Sequence, residues 1–465
     1  MNILASSSSL FLSTARMLLG LAAFQHVSAG TLLAAKPQFE WVSGGGSQVS
    51  DKTRAIAVDA SGNTYLAGEI SGPAEFGMHS VGSAGKMDVF VAKLSATGEF
   101  VWAKSFGGSE TDRAYGVVPD AEGNVYVAGH FQSADMKFNG VLQPNNGDYD
   151  LFVLKLSAAG ELLWGKTAGG AGYDYAHAVA LDGKGDVVLT GAVAGEARFG
   201  AISVNSGSKD RPVFVAKYSA KGDLKWAKCS AGVSGSGHGI GVDAGDQIYV
   251  GGSFSGRGAF DSVALHAEKG SCGFVLKLAP DGSAAGAASF PGTAPTIHEI
   301  AVDRDGRVWI AGMYKQNMQI GTHSLTSSSA TNSDGFCASL DRDLSVRWVH
   351  ALHGEGVDYC LGVATDGSGR GFFTGEFTGD AVLSEAALHG AGATDIFVAA
   401  FDADGRLEWV ERCGSEKGDN AYTMAWHPSG FLVLGGACTA PAQFGQKVMN
   451  SPRGAEAYGA KIKVR

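Results

Sequence analysis

The stretch "LSATGEFVWAKSFGG" at positions 94–108 returns as "LSAAGELLWGKTAGG" at positions 156–170. Repetition at a fixed period is typical of solenoids and propellers, because each copy is one supersecondary unit that buries its apolar face against the next. We therefore read the whole chain as a series of such copies.

Two further phrases extend the repeat on either side. One resembles "AVDxxGNxYxAG" and occurs seven times at nearly even spacing. Its last glycine is Gly68, Gly129, Gly191, Gly252, Gly312, Gly375 and Gly436. The other resembles "DxFVxKLxxxGxxxW", and its tryptophan column reads Trp102, Trp164, Trp226, Gly286, Trp348 and Trp409. The seventh tryptophan is missing at the C-terminus, and Trp41 in "FEWVSGGG" supplies it at the other end.

Each copy has the pattern of four strands. Segments such as "HAVALD", "NVYVAGHF", "DLFVLKLS" and "ELLWGKTA" are rich in β-branched and aromatic residues, and Gly-containing turns separate them. Sheets of this kind protect their edges by radial closure. The sequence therefore predicts an all-β fold, a seven-bladed β-propeller of four-stranded antiparallel blades over positions 38–465. The ring is closed by the N-terminal strand pairing with the C-terminal blade.

The segment 1–29 is expected to be a secretory signal peptide, followed by a short linker at 30–37. It holds Arg16 as its only charge, then the apolar run "MLLGLAAF" and the small residue Ala29. The alternative is an amphipathic or buried first helix. No later stretch has the roughly 18 apolar residues of a membrane span. We expect an exported protein, secreted, periplasmic or at the cell surface, that has no membrane span in its mature chain.

Charge and cysteine content narrow the partners. Acidic residues outnumber basic ones by 46 to 36 without a compensating Lys/Arg cluster, so nucleic acid is not expected to bind. The six cysteines lack CxxC spacing, which indicates neither a zinc site nor a redox motif, and we expect at most one or two disulfides. A monomer is expected.

The phrase "GGSETDRAYGVVPDAEGNVYVAGHF", followed by "DLFVLKLSAAGELLWGK", resembles the repeats of the bacterial SBBP family of β-propeller proteins. The resemblance covers positions 38–465 and implies an exported or surface-associated protein without implying a reaction. A lesser similarity is to the "xGxxxW" repeats of pyrroloquinoline-quinone propellers. Those repeats are shorter and usually number eight, so no cofactor is predicted.

Two polar columns have structural interpretations. An aspartate heads the first hairpin turn in six repeats, where it is expected to cap the turn rather than bind calcium, since no distal Glu of a calcium loop follows. A lysine column that includes Lys155 and Lys217 is expected on a solvated face.

The candidate site lies on the face that carries the long loops. At the start of the first strand one column reads Arg54, Tyr115, His177, His238, His298, Leu361 and Tyr422. The three consecutive histidines are candidates for proton transfer or, less favoured, for a metal site, and no metal is predicted. The alternative is that they only form hydrogen bonds at the channel mouth. The predicted ligand-binding residues are Asp112, Asp174, Tyr175 and Tyr422.

Two function classes follow from these residues. The first is a non-catalytic binding or scaffolding propeller for an extracellular glycan or protein. The second is a lyase acting on uronate polysaccharides, whose candidate catalytic residues are His177, His238, His298, Tyr115 and Arg54. Histidine and tyrosine are suited to act as base and acid, and arginine to neutralise a uronate carboxylate. The absence of a concentrated acid pair argues against a glycoside hydrolase, although scattered Asp residues do not exclude one. Of the two classes, the binding module is favoured.

Overall fold

The computed structural model describes residues 36–205, 211–451 and 453–464, apart from the side chain of Lys269. The predicted signal peptide and most of the predicted linker lie outside the described residues. Every regular element in the described ranges is a β-strand, so the all-β prediction is confirmed. In the same ranges no helix has the length and hydropathy to span a membrane.

The first three sequence repeats share one plan, in which a short arm hairpin separates the second strand from the third. A single strand, β1, precedes them. The strands are β1 (Gln38–Gly45); in repeat 1, β2 (Lys52–Val58), β3 (Thr64–Ile70), β4 (Ala74–Phe76), β5 (His79–Val81), β6 (Asp88–Leu94) and β7 (Phe100–Phe106); in repeat 2, β8 (Asp112–Pro119), β9 (Val125–Phe131), β10 (Lys137–Phe138), β11 (Val141–Leu142), β12 (Asp150–Leu156) and β13 (Leu162–Ala168); in repeat 3, β14 (Tyr175–Leu181), β15 (Val187–Ala192), β16 (Glu196–Phe199), β17 (Ile202–Asn205), β18 (Val213–Tyr218) and β19 (Leu224–Cys229).

Repeats 4 to 7 follow the same plan with longer strands in repeats 4 and 5. The strands are β20 (Ala231–Val242), β21 (Ile248–Phe260), β22 (Val263–Leu278) and β23 (Ala284–Val302) in repeat 4; β24 (Val308–Ile320), β25 (His323–Thr326), β26 (Ser333–Leu340) and β27 (Val346–Gly354) in repeat 5; β28 (Tyr359–Thr365), β29 (Gly371–Phe377), β30 (Asp380–Leu383), β31 (Ala386–His389), β32 (Asp395–Phe401) and β33 (Leu407–Cys413) in repeat 6; β34 (Asn420–His427), β35 (Phe431–Thr439), β36 (Ala442–Phe444), β37 (Lys447–Met449) and β38 (Ala455–Lys463) in repeat 7.

In repeats 1, 2, 3 and 6 a four-stranded sheet takes its strands from one repeat in chain order, from the first strand to the fourth. The sheets β2-β3-β6-β7, β14-β15-β18-β19 and β28-β29-β32-β33 show this pattern, and the arm hairpins lie outside them. Repeat 7 differs, because its order is β34-β35-β38-β1. The N-terminal strand therefore occupies the fourth position of the last repeat, antiparallel to β38 from Gln38↔Lys463 to Gly45↔Ala457. This pairing of the two termini was predicted from the sequence.

Repeats 4 and 5 share one continuous sheet. The strand β23 is the fourth strand of repeat 4 at its start and the first strand of repeat 5 at its end. Elsewhere a buried aspartate holds the loop before the first strand. Asp112, for example, accepts hydrogen bonds from the backbone N–H groups of Gly108 and Gln132 at 2.8 and 3.0 Å. Repeats 4 and 5 have Gly235 and Pro295 in that column, so no carboxylate draws the chain into a tight loop and the strand continues.

The first strands pack against one another in sequence. Contacts join β2 to β8, β8 to β14, β14 to β20, β20 to β23, β23 to β28, β28 to β34, and β34 back to β2. The strands β3, β9, β12 and β32 are buried along their whole length, because neighbouring sheets cover both of their faces. Sheets that pack face to face through their first strands form a propeller-like arrangement.

Tryptophans of the fourth strands join adjacent repeats. Trp102 in repeat 1 is 7% exposed, and its indole N–H donates to the carbonyl of Ala158 in the next repeat at 3.0 Å. Gly160 in that turn has a φ of +82°, and a Cβ there would come within 2.9 Å of the Trp102 ring. The "SAxG" turn and the tryptophan column are therefore two halves of one contact between repeats.

The turn aspartates cap their hairpins as predicted. Asp59 Oδ1 accepts from the N–H groups of Ser61 and Asn63, both at 2.9 Å. The prediction of a solvated lysine column is wrong for Lys155 and Lys217. Both are buried, and their ammonium groups pair with the turn carboxylates of their own repeats, Lys155 with Asp120 and Lys217 with Asp182, at 3.0 and 2.6 Å. The two columns lie side by side across the sheet, a relation that single columns do not reveal.

Candidate functional site

A β-bulge interrupts the pairing of every first strand at the same place. In repeat 2, for example, Ala114 and Gly116 pair with consecutive residues of β9, so Tyr115 between them has no partner. A bulge aims the extra side chain away from the regular alternation of the sheet. The bulged residues are Arg54, Tyr115, His177, His238, His298, Leu361 and Tyr422. They are the seven residues of the candidate column.

The glycine that ends each "AVDxxGNxYxAG" phrase makes this bulge possible. Gly129 pairs with Ala114 beside the bulge, and a Cβ on Gly129 would lie 1.9 Å from the carbonyl oxygen of Arg113. The other six glycines face the same obstacle at 1.8 to 2.2 Å. The repeated glycine is therefore the sequence signal for the bulge, and the bulge directs the candidate column to its position.

All seven bulged side chains line one cavity of about 390 Å³. Four further residues complete the lining, Glu299, Met313, Tyr359 and Glu376. The cavity lies among the first strands, where the structure brings together every predicted catalytic candidate and the predicted ligand-binding residue Tyr422. Its volume is in the range of small-molecule sites.

The three histidines form a continuous row in this cavity. The ring centroids of His177 and His238 are 4.8 Å apart, and those of His238 and His298 are 6.1 Å apart. Tyr115 continues the row at one end, 4.7 Å from His177, and Tyr359 at the other, 6.3 Å from His298. Histidines on three successive repeats thus converge, as the column predicted.

These imidazoles are neutral at pH 7. Burial lowers the pKa of His177 to about 3 and that of His298 to about 4, and burial together with the neighbouring histidines holds the pKa of His238 well below its usual value. A neutral imidazole has one N–H donor and one acceptor nitrogen. Among the described residues, His298 Nε2 has no hydrogen-bond partner. The row therefore offers both donors and acceptors to a bound molecule.

The described part of the chain contains no group of three His, Cys, Asp or Glu side chains arranged to hold a metal ion. The six cysteine thiols are all free in this structure.

Arg54 is the positively charged side chain that lines the cavity, and it forms an ion pair with Glu69. Its guanidinium binds the Glu69 carboxylate through Nε at 3.0 Å and Nη2 at 2.8 Å. It also lies over the rings of Tyr422 and Tyr115, 4.9 and 5.6 Å from their centroids. Burial acts to lower the pKa of Arg54, but the hydrogen bonds and charge of Glu69 raise it overall, so the pair carries no net charge.

Two acids of the cavity were not predicted from the sequence. Burial raises the pKa of Glu299 to about 8, so this carboxyl is protonated at neutral pH. Burial also raises the pKa of Glu376, against the hydrogen bond that the side-chain amide of Asn420 donates to it. Glu299 had a signal in the sequence, because the residue after the bulge is otherwise small: Ala55, Gly116, Ala178, Gly239, Gly362 and Thr423.

The predicted ligand-binding aspartates lie outside this cavity. Asp112 and Asp174 are buried, and Asp174 accepts from the N–H groups of Gly170 and Ala194 at 2.7 and 2.5 Å. Burial raises the pKa of Asp174 to about 6, and the backbone hydrogen bonds oppose this shift. Tyr175 is half-buried beside the cavity, with its ring 4.8 Å from that of His177.

A larger groove of about 1190 Å³ lies between the arms of repeats 4 and 5. Half of its lining residues are serine, threonine or glycine, and His266 and Glu268 are the titratable side chains among its described residues. The cavity among the first strands has more titratable side chains in a smaller volume, so it is the candidate site.

Comparison with known proteins places the chain near no family. No protein family and no curated protein matches the sequence. Similar solved structures include the quinohemoprotein alcohol dehydrogenase from Comamonas testosteroni, with 12% identity over 92% of this chain and 76% of that chain and a TM-score of 0.42. YCF48 bound to D1 peptide has 9% identity over 93% and 97% of the two chains and a TM-score of 0.39. The Pan2 WD40 domain of Neurospora crassa has 9% identity over 75% and 88% and a TM-score of 0.35.

Proposed function

We propose that this chain is an exported, non-catalytic glycan-binding module built on a closed seven-bladed β-propeller, and that its axial cavity holds a neutral hexose. The observation that carries the proposal is the cavity itself, where bulged residues of all seven repeats meet. The resemblance to the SBBP repeats and the composition of the segment 1–29 support export.

The propeller part of the proposal rests on contacts between repeats. Each repeat is one blade, each first strand packs on the next, and β34 packs on β2. The last blade takes its fourth strand from the N-terminus. Trp41 in that strand donates its indole N–H to the carbonyl of Ala96 at 3.1 Å. Trp102, one blade later, makes the equivalent hydrogen bond to the carbonyl of Ala158.

The hexose follows from the charge of the cavity. The imidazoles are neutral, Glu299 is protonated, and Arg54 is neutralised by Glu69. An anionic ligand would have to leave water without an available counter-charge, which is costly. A sugar ring has hydroxyls that both donate and accept, which suits neutral imidazoles, and apolar C–H faces that suit the rings of Tyr359 and Tyr422.

A second candidate is the uronate lyase, which the proximity of His177 and Tyr115 favours. Two observations weigh against it. Glu69 occupies the guanidinium that would neutralise the uronate, and burial raises the pKa of Tyr115 while it lowers that of His177 to about 3. A histidine with this pKa is a weak base at neutral pH.

Binding of glucose, galactose and mannose by saturation-transfer NMR and calorimetry tests the proposal. At least one hexose is expected to bind, and His238→Leu, which keeps bulk but removes both imidazole nitrogens, is expected to weaken binding at least tenfold. His389→Leu is the matched control, because the His389 side chain is exposed on an arm hairpin. Failure of all three hexoses to bind, or unchanged binding by His238→Leu, would overturn the proposal. Ultraviolet absorbance from unsaturated products of a polyuronate would instead establish the lyase.

A further inference from the structure

The junction between repeats 2 and 3 carries a group of tyrosines just outside the cavity. Tyr173 is 49% exposed, and its ring centroid lies 5.2 Å from that of Tyr149 with the planes tilted by 31°. Tyr149 in turn is 4.8 Å from the ring of His130. His130 is 5.4 Å from Tyr115, which lines the cavity. Ring contacts thus connect the exposed Tyr173 to the cavity-lining Tyr115, with the buried His130 between them.

This pair of tyrosines has no aromatic counterpart at the equivalent places of the described chain. The same parallel bridge joins Tyr149 to Tyr173, Met87 to Thr111, Thr394 to Gly418, and Ser50 to Ala455. The backbone arrangement is therefore general, and the exposed aromatic surface belongs to the junction next to Tyr115 and His177.

The two loops that present the tyrosines are held firmly. Asp174 accepts from the Gly170 N–H at 2.7 Å, and Asp150 accepts from the Asn146 N–H at 3.0 Å. The backbone N–H of Asp174 donates to the carbonyl of Tyr149 at 2.9 Å, which ties one loop to the other. The buried Asp174 therefore supports the aromatic surface from below. A pre-formed aromatic surface binds with little loss of conformational entropy.

We infer that this aromatic surface forms outer subsites for an oligosaccharide chain whose terminal sugar occupies the axial cavity. The inference rests on the proposed hexose site and extends it to the substrate class, a neutral β-1,4-linked hexose chain. Equatorial β-1,4 linkages give an extended ribbon with apolar C–H faces, and such faces stack on exposed tyrosine rings.

Affinity as a function of chain length tests the inference. Calorimetry with cello-oligosaccharides and manno-oligosaccharides, from monomer to hexamer, is expected to give in at least one series a gain on the order of tenfold beyond the monomer. Tyr173→Ala is expected to remove this gain and leave the affinity of the monomer unchanged. Tyr173→Phe is expected to keep it, because stacking needs the ring and not the hydroxyl.

Val141→Ala is the matched control, since Val141 is an exposed apolar side chain, 64% exposed, on the arm hairpin of repeat 2. Monomer binding with no gain in either series, or a gain that survives in Tyr173→Ala, would overturn the outer subsites and leave the hexose site standing. Absence of binding by every monomer and oligomer would overturn the hexose site as well.

Discussion

Replacing Trp41 by alanine tests whether the N-terminal strand closes the last blade. Trp41 is 9% exposed in β1, and its indole N–H donates to the carbonyl of Ala96 in repeat 1. Gly98 in the same turn, with a φ of +86°, lies against the ring, where a Cβ would come within 2.5 Å. Trp102 makes the same contacts with Ala158 and Gly160 between repeats 1 and 2.

The expected loss of stability follows from this equivalence. Truncating a buried tryptophan to alanine costs about 3–5 kcal/mol, and the lost hydrogen bond is part of that figure. Since Trp41 and Trp102 are buried to 9% and 7% exposure, the two variants are expected to lose the same free energy of unfolding within about 1 kcal/mol. Both proteins need to be measured in one buffer, at one temperature.

Urea unfolding monitored by far-ultraviolet circular dichroism gives both free energies. Hydrogen exchange of β38 adds a local measurement, because β1 pairs with it from Gln38 to Gly45. Loss of protection in β38 is expected for Trp41→Ala and not for Trp102→Ala. A cost below about 1 kcal/mol for Trp41→Ala, beside about 3–5 kcal/mol for Trp102→Ala, would refute closure by the N-terminal strand.

Three other predictions concern the bulge, the buried acid and the missing tryptophan. Gly129→Ala places a Cβ against a backbone carbonyl, so it is expected to cost about 1–3 kcal/mol in urea unfolding and to weaken hexose binding. The control is Gly82→Ala, which has no atom within 4 Å of the added Cβ and is expected to leave both stability and binding unchanged. Burial raises the pKa of Glu299 to about 8, above the value of 4.5 expected in the unfolded chain. Its contribution to the free energy of unfolding is therefore fully present below pH 4.5 and is lost as pH rises through 8. Glu299→Gln is therefore expected to be up to about 3 kcal/mol more stable than the wild type at pH 7 and equal to it at pH 4, and equal stability at both pH values would contradict the assignment. Where the tryptophan column has Gly286, the facing turn has Leu344 at a φ of +70° in place of glycine. The double variant Gly286→Trp with Leu344→Gly is expected to be more stable, by about 0.5–3 kcal/mol, than the sum of the effects of the two single variants. Additive effects on the free energy of unfolding would contradict the pairing of the two positions.

The repeated columns explain why so much of the fold was predictable. Gly129 and its equivalents mark one backbone position, and counting them gives the number of repeats. Trp41 supplies the missing member of its column, which predicts where the N-terminal strand pairs. The column through His177 was correctly expected to converge, because the first strands of successive repeats pack against one another.

Contacts between columns were not predictable in the same way. The burial of Lys155 depends on Asp120 in the turn after β8, and the continuation of β23 from repeat 4 into repeat 5 depends on Pro295, which stands where five other repeats have an aspartate. Glu299 is protonated because it is buried in the cavity, and a single sequence reveals only that it stands among small residues. A column identifies a position in a strand but not the groups that several strands bring to it.

The protonation state and ligand response of the imidazole row test the central claim most directly. Protein labelled with nitrogen-15 in histidine gives a two-bond proton–nitrogen NMR spectrum that distinguishes neutral from charged rings. At pH 5, His177, His238 and His298 are expected to be neutral, and a saturating neutral hexose is expected to shift their signals and leave that of His389 unchanged. Charged rings at pH 5, or a hexose that binds without moving any of the three signals, would contradict the account.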